Sequence, residues 1–181
     1  GNDWRGQETK QRNGSLWTTQ HISCNPGSNV VNCVRWAEID PTQVTPGLDS
    51  TDGVIQAGVF AADDGNSRWF PSLNVNRCGD MAIGYSKSGP DMLPSVAITG
   101  RRNNDTPGFV RSEVDVFAGT EIYRSFQTGT TRWGDYTSMA IDPNGKDFWY
   151  IGESTGPNDN PFINYQNVIA KVNFGCRVNG K

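Results

Sequence analysis

The chain has 181 residues and a mass of 19.9 kDa, enough for one domain with a real hydrophobic core, and its 35% hydrophobic content leaves no apolar surface for a second. Sixteen Lys and Arg against nineteen Asp and Glu give a formal charge of −3, which supplies no general attraction to nucleic-acid phosphates or anionic lipid surfaces. No run approaches the roughly 18 apolar residues of a spanning helix, and the lack of a basic-then-apolar start implies that any export segment has been removed.

In chain order, Trp4 is followed about ten residues later by the turn Asn13-Gly14 and the β-prone run 16–19. Cys24 and Cys33 bracket the turn-forming stretch 25–29, and further strand-like runs cover 33–39 and 54–60. The same order returns from Trp69: the turn Cys78-Gly79-Asp80, the run 81–85, the loop Ser88-Gly89-Pro90-Asp91 and the run 95–98. A fourth strand of this unit lies at 114–117 or at 121–123. From Trp133 the turn is Asn144-Gly145, the runs are 148–151 and 168–172, and the loop is Thr155-Gly156-Pro157-Asn158. Little chain remains there for a fourth strand.

The tryptophans Trp4, Trp69 and Trp133 stand 65 and 64 residues apart, and two of them sit in an Arg-Trp dipeptide. Repetition of tryptophan, turn, strand and loop in one order predicts three blade-like repeats at about 4–60, 69–123 and 133–174. No window holds an amphipathic helix. The fold expected is all-β, a single β-propeller-type domain over 1–181 made of meandering antiparallel sheets. One such sheet cannot bury both faces alone and is stabilised by stacking on the next. A β-sandwich with chance periodicity is the rival.

The four cysteines are even in number and form no C-x-x-C. The turn between Cys24 and Cys33 predicts a disulfide there, worth about 2–3 kcal/mol, with Cys78–Cys176 as the remaining pair. Four buried thiols in a cytosolic protein is the alternative. The sequons at Asn13 and Asn104 fit an exported, glycosylated chain. A secreted or periplasmic location is therefore expected.

The segment 132–143, with Arg132-Trp133-Gly134-Asp135-Tyr136 at its head and Phe148-Trp149 after it, resembles exported bacterial propeller proteins of sialidase type. So does the segment 70–76 with Gly79-Asp80. Ala62-Asp63-Asp64-Gly65-Asn66-Ser67-Arg68-Trp69 resembles a degenerate Asp-box, with Ala first and an Arg between Ser and Trp. The resemblance implies a propeller fold and, less directly, an activity. Sialidase-type propellers have six blades and this chain supplies three. The expected partners are therefore further blades from a second copy or another chain.

The resemblance also directs attention to one rim, with Arg5, Arg68, Arg132, Asp135, Tyr136, Asp91, Glu153, Asn158 and Asp159. Repeated arginines there can hold a carboxylate or sulfate by bidentate hydrogen bonds. If the chain is an enzyme, Glu153, Asp135 and Tyr136 are the candidate catalytic set, with Asp135 and Glu153 as the carboxylate pair. The plainer reading makes Arg-Trp structural, a guanidinium stacked on an indole, with Asp135 capping a turn. His21 reads as an ordinary strand residue. Oxygen-rich stretches at 63–66, 103–105 and 158–160 could hold Ca²⁺, although none has EF-hand spacing, and no metal or other cofactor is assigned. The preferred function is a secreted, non-catalytic module binding a glycan or protein ligand. A sialidase-like glycoside hydrolase completed by another chain and a structural subunit of an extracellular assembly are the alternatives.

Overall fold

The computed structural model describes residues 6, 8–44, 52–124, 133, 134, 136–157 and 164–176. Eleven strands and no helix form among them, in three antiparallel meanders. The first sheet holds β1 (Glu8–Arg12), β2 (Ser15–Cys24), β3 (Val31–Ile39) and β4 (Val54–Phe60) in that spatial order. The second holds β5 (Ser67–Val75), β6 (Met81–Gly89), β7 (Met92–Arg101) and β8 (Val114–Phe117). The third holds β9 (Ser138–Ile141), β10 (Phe148–Thr155) and β11 (Tyr165–Val172). Each predicted run lies in a strand. The fourth strand of the second unit is 114–117, and residues 121–123 form no strand.

Local chemistry explains the hairpins. Asn13 and Gly14 both take positive φ, 52° and 85°, the backbone that a two-residue turn needs to match the twist of its strands. The longer turns after β5 and β9 close on side chains. The Asn76 carboxamide oxygen accepts the amides of Cys78 and Asp80 at 2.9 and 3.0 Å. The Asn144 oxygen does the same for Lys146 and Asp147 at 2.7 and 3.0 Å.

The second sheet is the middle layer. On β6, Met81, Ile83 and Tyr85 pack with Trp17, Val34 and Trp36 of the first sheet. Their neighbour Ala82 packs the other way, with Met139, Phe148 and Tyr150 of the third. The period of two therefore delivers apolar side chains to both faces, and β6 reads as a continuous buried run from Met81 to Lys87. Gly84, on the face toward the third sheet, lies under the Tyr150 ring, where a Cβ would collide.

The three opening strands meet. β1 and β9 both lie against β5, joined by a chain of side-chain bonds. The Ser72 hydroxyl donates to the Glu8 carboxylate and accepts the Met139 amide at 2.7 Å. The Leu73 amide donates to Glu8 at 3.1 Å, and the Asn74 carboxamide donates to the Met139 carbonyl at 2.9 Å. Two disulfides form, Cys24–Cys33 and Cys78–Cys176. The second ties the segment after β11 to the turn between β5 and β6.

Candidate functional site

At one end of the stack lie the β2–β3 loop, the approach to β5, the β6–β7 hairpin and the approach to β9. Two grooves of about 450 and 480 Å³ flank that hairpin. The first lies between Ser28, Asn29, the 63–66 loop and Pro90–Met92. The second shares Pro90, Asp91 and Met92 and is completed by Leu93, Pro94, Ile122 and Tyr123. Asp91 stands exposed at the tip of the hairpin between them.

Arg68 does not reach either groove. Its side chain is fully enclosed, with the Phe60 ring 5.6 Å away. Glu113 accepts from its Nε and Nη2 at 2.9 and 2.6 Å, and Asp64 from Nη1 and Nη2 at 3.2 and 2.7 Å. The Asn66 carbonyl accepts from Nη1 at 2.9 Å. These five contacts match the five N–H donors of a guanidinium. Lys87, directly across the strand from Arg68, would repel it. Glu113 instead bridges the two, with Lys87 Nζ 2.7 Å from Oε1. Asp115 takes the other side of Lys87 at 3.1 Å, and the Tyr85 hydroxyl donates to Glu113 at 2.8 Å.

The protonation states follow. Burial opposes ionisation of Asp64, but hydrogen bonds from Arg68 and Asn66 outweigh it and hold the carboxyl at about 2. Burial likewise works against Glu113 as an anion, and bonds from Arg68, Lys87 and Tyr85 pull its value below the ordinary range. Burial and the adjacent Glu113 charge push the Tyr85 phenol well up. The network stays charged at neutral pH.

One lining residue of the second groove, Tyr123, belongs to a cluster of aromatic rings. Trp133 meets Tyr123 edge-to-face at 4.9 Å and Trp69 at 6.3 Å, and its indole N–H donates to Ser86 at 3.1 Å. Two of the periodic tryptophans thus touch each other. Gly134 donates its amide to Glu153 at 2.8 Å, and a Cβ there would strike that carboxylate. Thr137 donates to the Phe70 carbonyl at 2.8 Å, at a residue whose φ is +49°. Tyr136 is 88% exposed.

The structure therefore brings Glu153 to the segment that carries Trp133 and Tyr136, and sets Arg68 apart from it in the interior. Trp4, Arg5, Arg132, Asp135, Asn158, Asp159 and Asn160 lie outside the described residues. His21 is buried in β2, edge-on to Phe70 at 5.7 Å. Asn13 and Asn104 are exposed in turns. In two of the three stretches considered for Ca²⁺ a carboxylate turns to protein donors: Asp63 accepts the Ser28 amide at 3.0 Å, and Asp105 accepts Arg111 Nε and Nη2 at 2.6 and 2.7 Å. Asp80 lies beside Cys78 and Cys176, whose sulfurs are joined and offer no thiolate.

Glu113 and Lys87 were not visible as a pair in the sequence. They stand 26 residues apart with no motif between them, and counting strand register from Arg68 was the one signal that could have found Lys87. The contributions of Ile122 and Tyr123 were likewise hidden in a segment that reads as a weak strand. Searches against family models, curated proteins and solved structures found no match to this chain.

Proposed function

We propose that the chain is a β-propeller-type recognition module that binds a glycan or a protein segment at the hairpin rim without chemical turnover. The propeller reading is supported by three successive meanders whose opening strands converge through Glu8, Ser72 and Met139. The observation that carries the binding reading is the pair of grooves beside the β6–β7 hairpin, the second lined by Tyr123, whose ring packs on Trp133, with Tyr136 exposed three residues further along that segment. Aromatic faces of this kind stack on the apolar faces of sugar rings or on side chains. The full engagement of Arg68 argues against its serving as an anion clamp. Two formed disulfides support an oxidising compartment, extracellular or periplasmic.

The test is a glycan array and a panel of sialosides and aryl glycosides. Saturable binding that weakens in Tyr123→Ala and Tyr136→Ala, with no product released, supports the reading. Turnover abolished by Glu153→Gln overturns it in favour of a sialidase-like hydrolase. One observation favours that second reading, namely the contact between Glu153 and the backbone of Gly134. The assembly reading has its own support in the outer face of the third sheet, where Trp149, Ile151 and Ile169 are exposed. Light scattering separates it: a monomer at micromolar concentration contradicts both pairing with a second copy and self-assembly.

A further inference from the structure

The first two sheets have four strands and the third has three. In the four-stranded sheets the third strand is paired on both sides, β3 by β2 and β4, and β7 by β6 and β8. The equivalent strand β11 pairs with β10 along its whole length, from Tyr165 to Val172, without a bulge. Among the described residues nothing pairs its other side.

An antiparallel ladder turns the N–H and C=O of alternate residues outward, so a straight eight-residue strand presents a row of them. Open edges of this kind are normally blunted by proline, bulges or outward charge. β11 has no proline, and its one charge is drawn back. Lys171 Nζ sits 2.9 Å from Asp147 and 5.5 Å from the centre of the Trp149 ring, over its own sheet. Each face carries apolar side chains toward the C-terminal half of the strand: Ile169 is exposed on one, and Ala170 and Val172 are only partly covered on the other.

We propose that the outer edge of β11 binds an extended, β-branched segment of another polypeptide, which adds antiparallel as a fourth strand. The two other sheets supply the template for the ligand. β4 reads VIQAGVF and β8 reads VDVF, uninterrupted by proline and rich in valine. Such a strand places aliphatic residues over Ala170 and Val172 while its backbone satisfies the ladder. The proposal rests on strand count and register, and stands independently of the rim's ligand.

The experiment uses the intact chain and two synthetic peptides, of residues 54–60 and 111–117, with scrambled controls. Amide exchange is followed residue by residue in β11, and affinity by fluorescence anisotropy. Alternate β11 amides exchange freely in the unliganded chain and become protected on peptide addition. N-methylation of every second peptide residue weakens binding by about tenfold or more in one phase and leaves it unchanged in the other, since only one set of amides faces β11. Protection already complete in the unliganded chain overturns the proposal. So does indifference to the phase of methylation, or no binding of either peptide up to about 1 mM.

Discussion

Glu113 holds Arg68 in a fork, with its two oxygens 2.9 and 2.6 Å from Nε and Nη2, inside the layer between the first two sheets. The arrangement converts a residue that looks like a ligand anchor into a structural post. It also makes the network sensitive to loss of Glu113, because the Arg68 and Lys87 side chains it joins are already out of water.

Glu113→Gln keeps the shape and removes the negative charge shared by Arg68 and Lys87. The expected loss is about 3 kcal/mol, since the variant leaves two enclosed cations with only the partly exposed Asp64 and Asp115 to balance them. Urea denaturation reads it directly. A loss below about 1 kcal/mol would show that Asp64 and Asp115 carry the pair without Glu113.

The same network sets an acid limit. Asp64 at about 2 and Glu113 below its ordinary range are both depressed in the folded chain, so the unfolded chain binds more protons as the pH falls. Their contribution is complete above the unfolded carboxyl range near pH 4 and is lost as the pH falls toward 2. Asp64→Asn should make the stability profile shallower across that window and leave its slope near neutrality unchanged. An unchanged acid limb would refute this.

The two disulfides should differ in weight. Cys78–Cys176 closes a separation of 98 residues and Cys24–Cys33 one of 9, and the chain-entropy contribution grows with the loop to about 4–5 kcal/mol for the longer. Replacing Cys78 and Cys176 together by serine should lower the denaturation midpoint more than replacing Cys24 and Cys33. Equal shifts would mean that strand pairing already confines the segment after β11.

Gly84→Ala tests the seam between the second and third sheets. The added methyl meets the Tyr150 ring, and overpacking of this kind costs about 1–3 kcal/mol. Thermal unfolding should show a clear drop. At Gly65, where a Cβ would meet nothing within 4 Å but φ is +70°, the same substitution isolates the backbone penalty of left-handed φ, about 1–2 kcal/mol.

Much of the architecture was readable from local pattern. Asn13-Gly14 announced a hairpin, and the alternation of 33–39 and the apolar run 81–85 announced strands whose faces are now seen. The cysteine that brackets a turn found its partner across it. The site was far less legible. Arg68 and Arg132 share a dipeptide, yet Arg68 is committed to carboxylates at positions 64 and 113, the latter 45 residues away, which no spacing announces. Trp69 and Trp133 share a period, but that they touch depends on how two sheets are turned against each other.

The linear order of residues thus determined the strands, their turns and their threefold recurrence, because backbone preference and two-residue alternation act over a few positions. Which side chains are enclosed, which loops border a groove and which strand edge stays open were decided by the stacking of the sheets. Burial and charge pairing are properties of neighbours in space, and those neighbours come from sheets far apart along the chain.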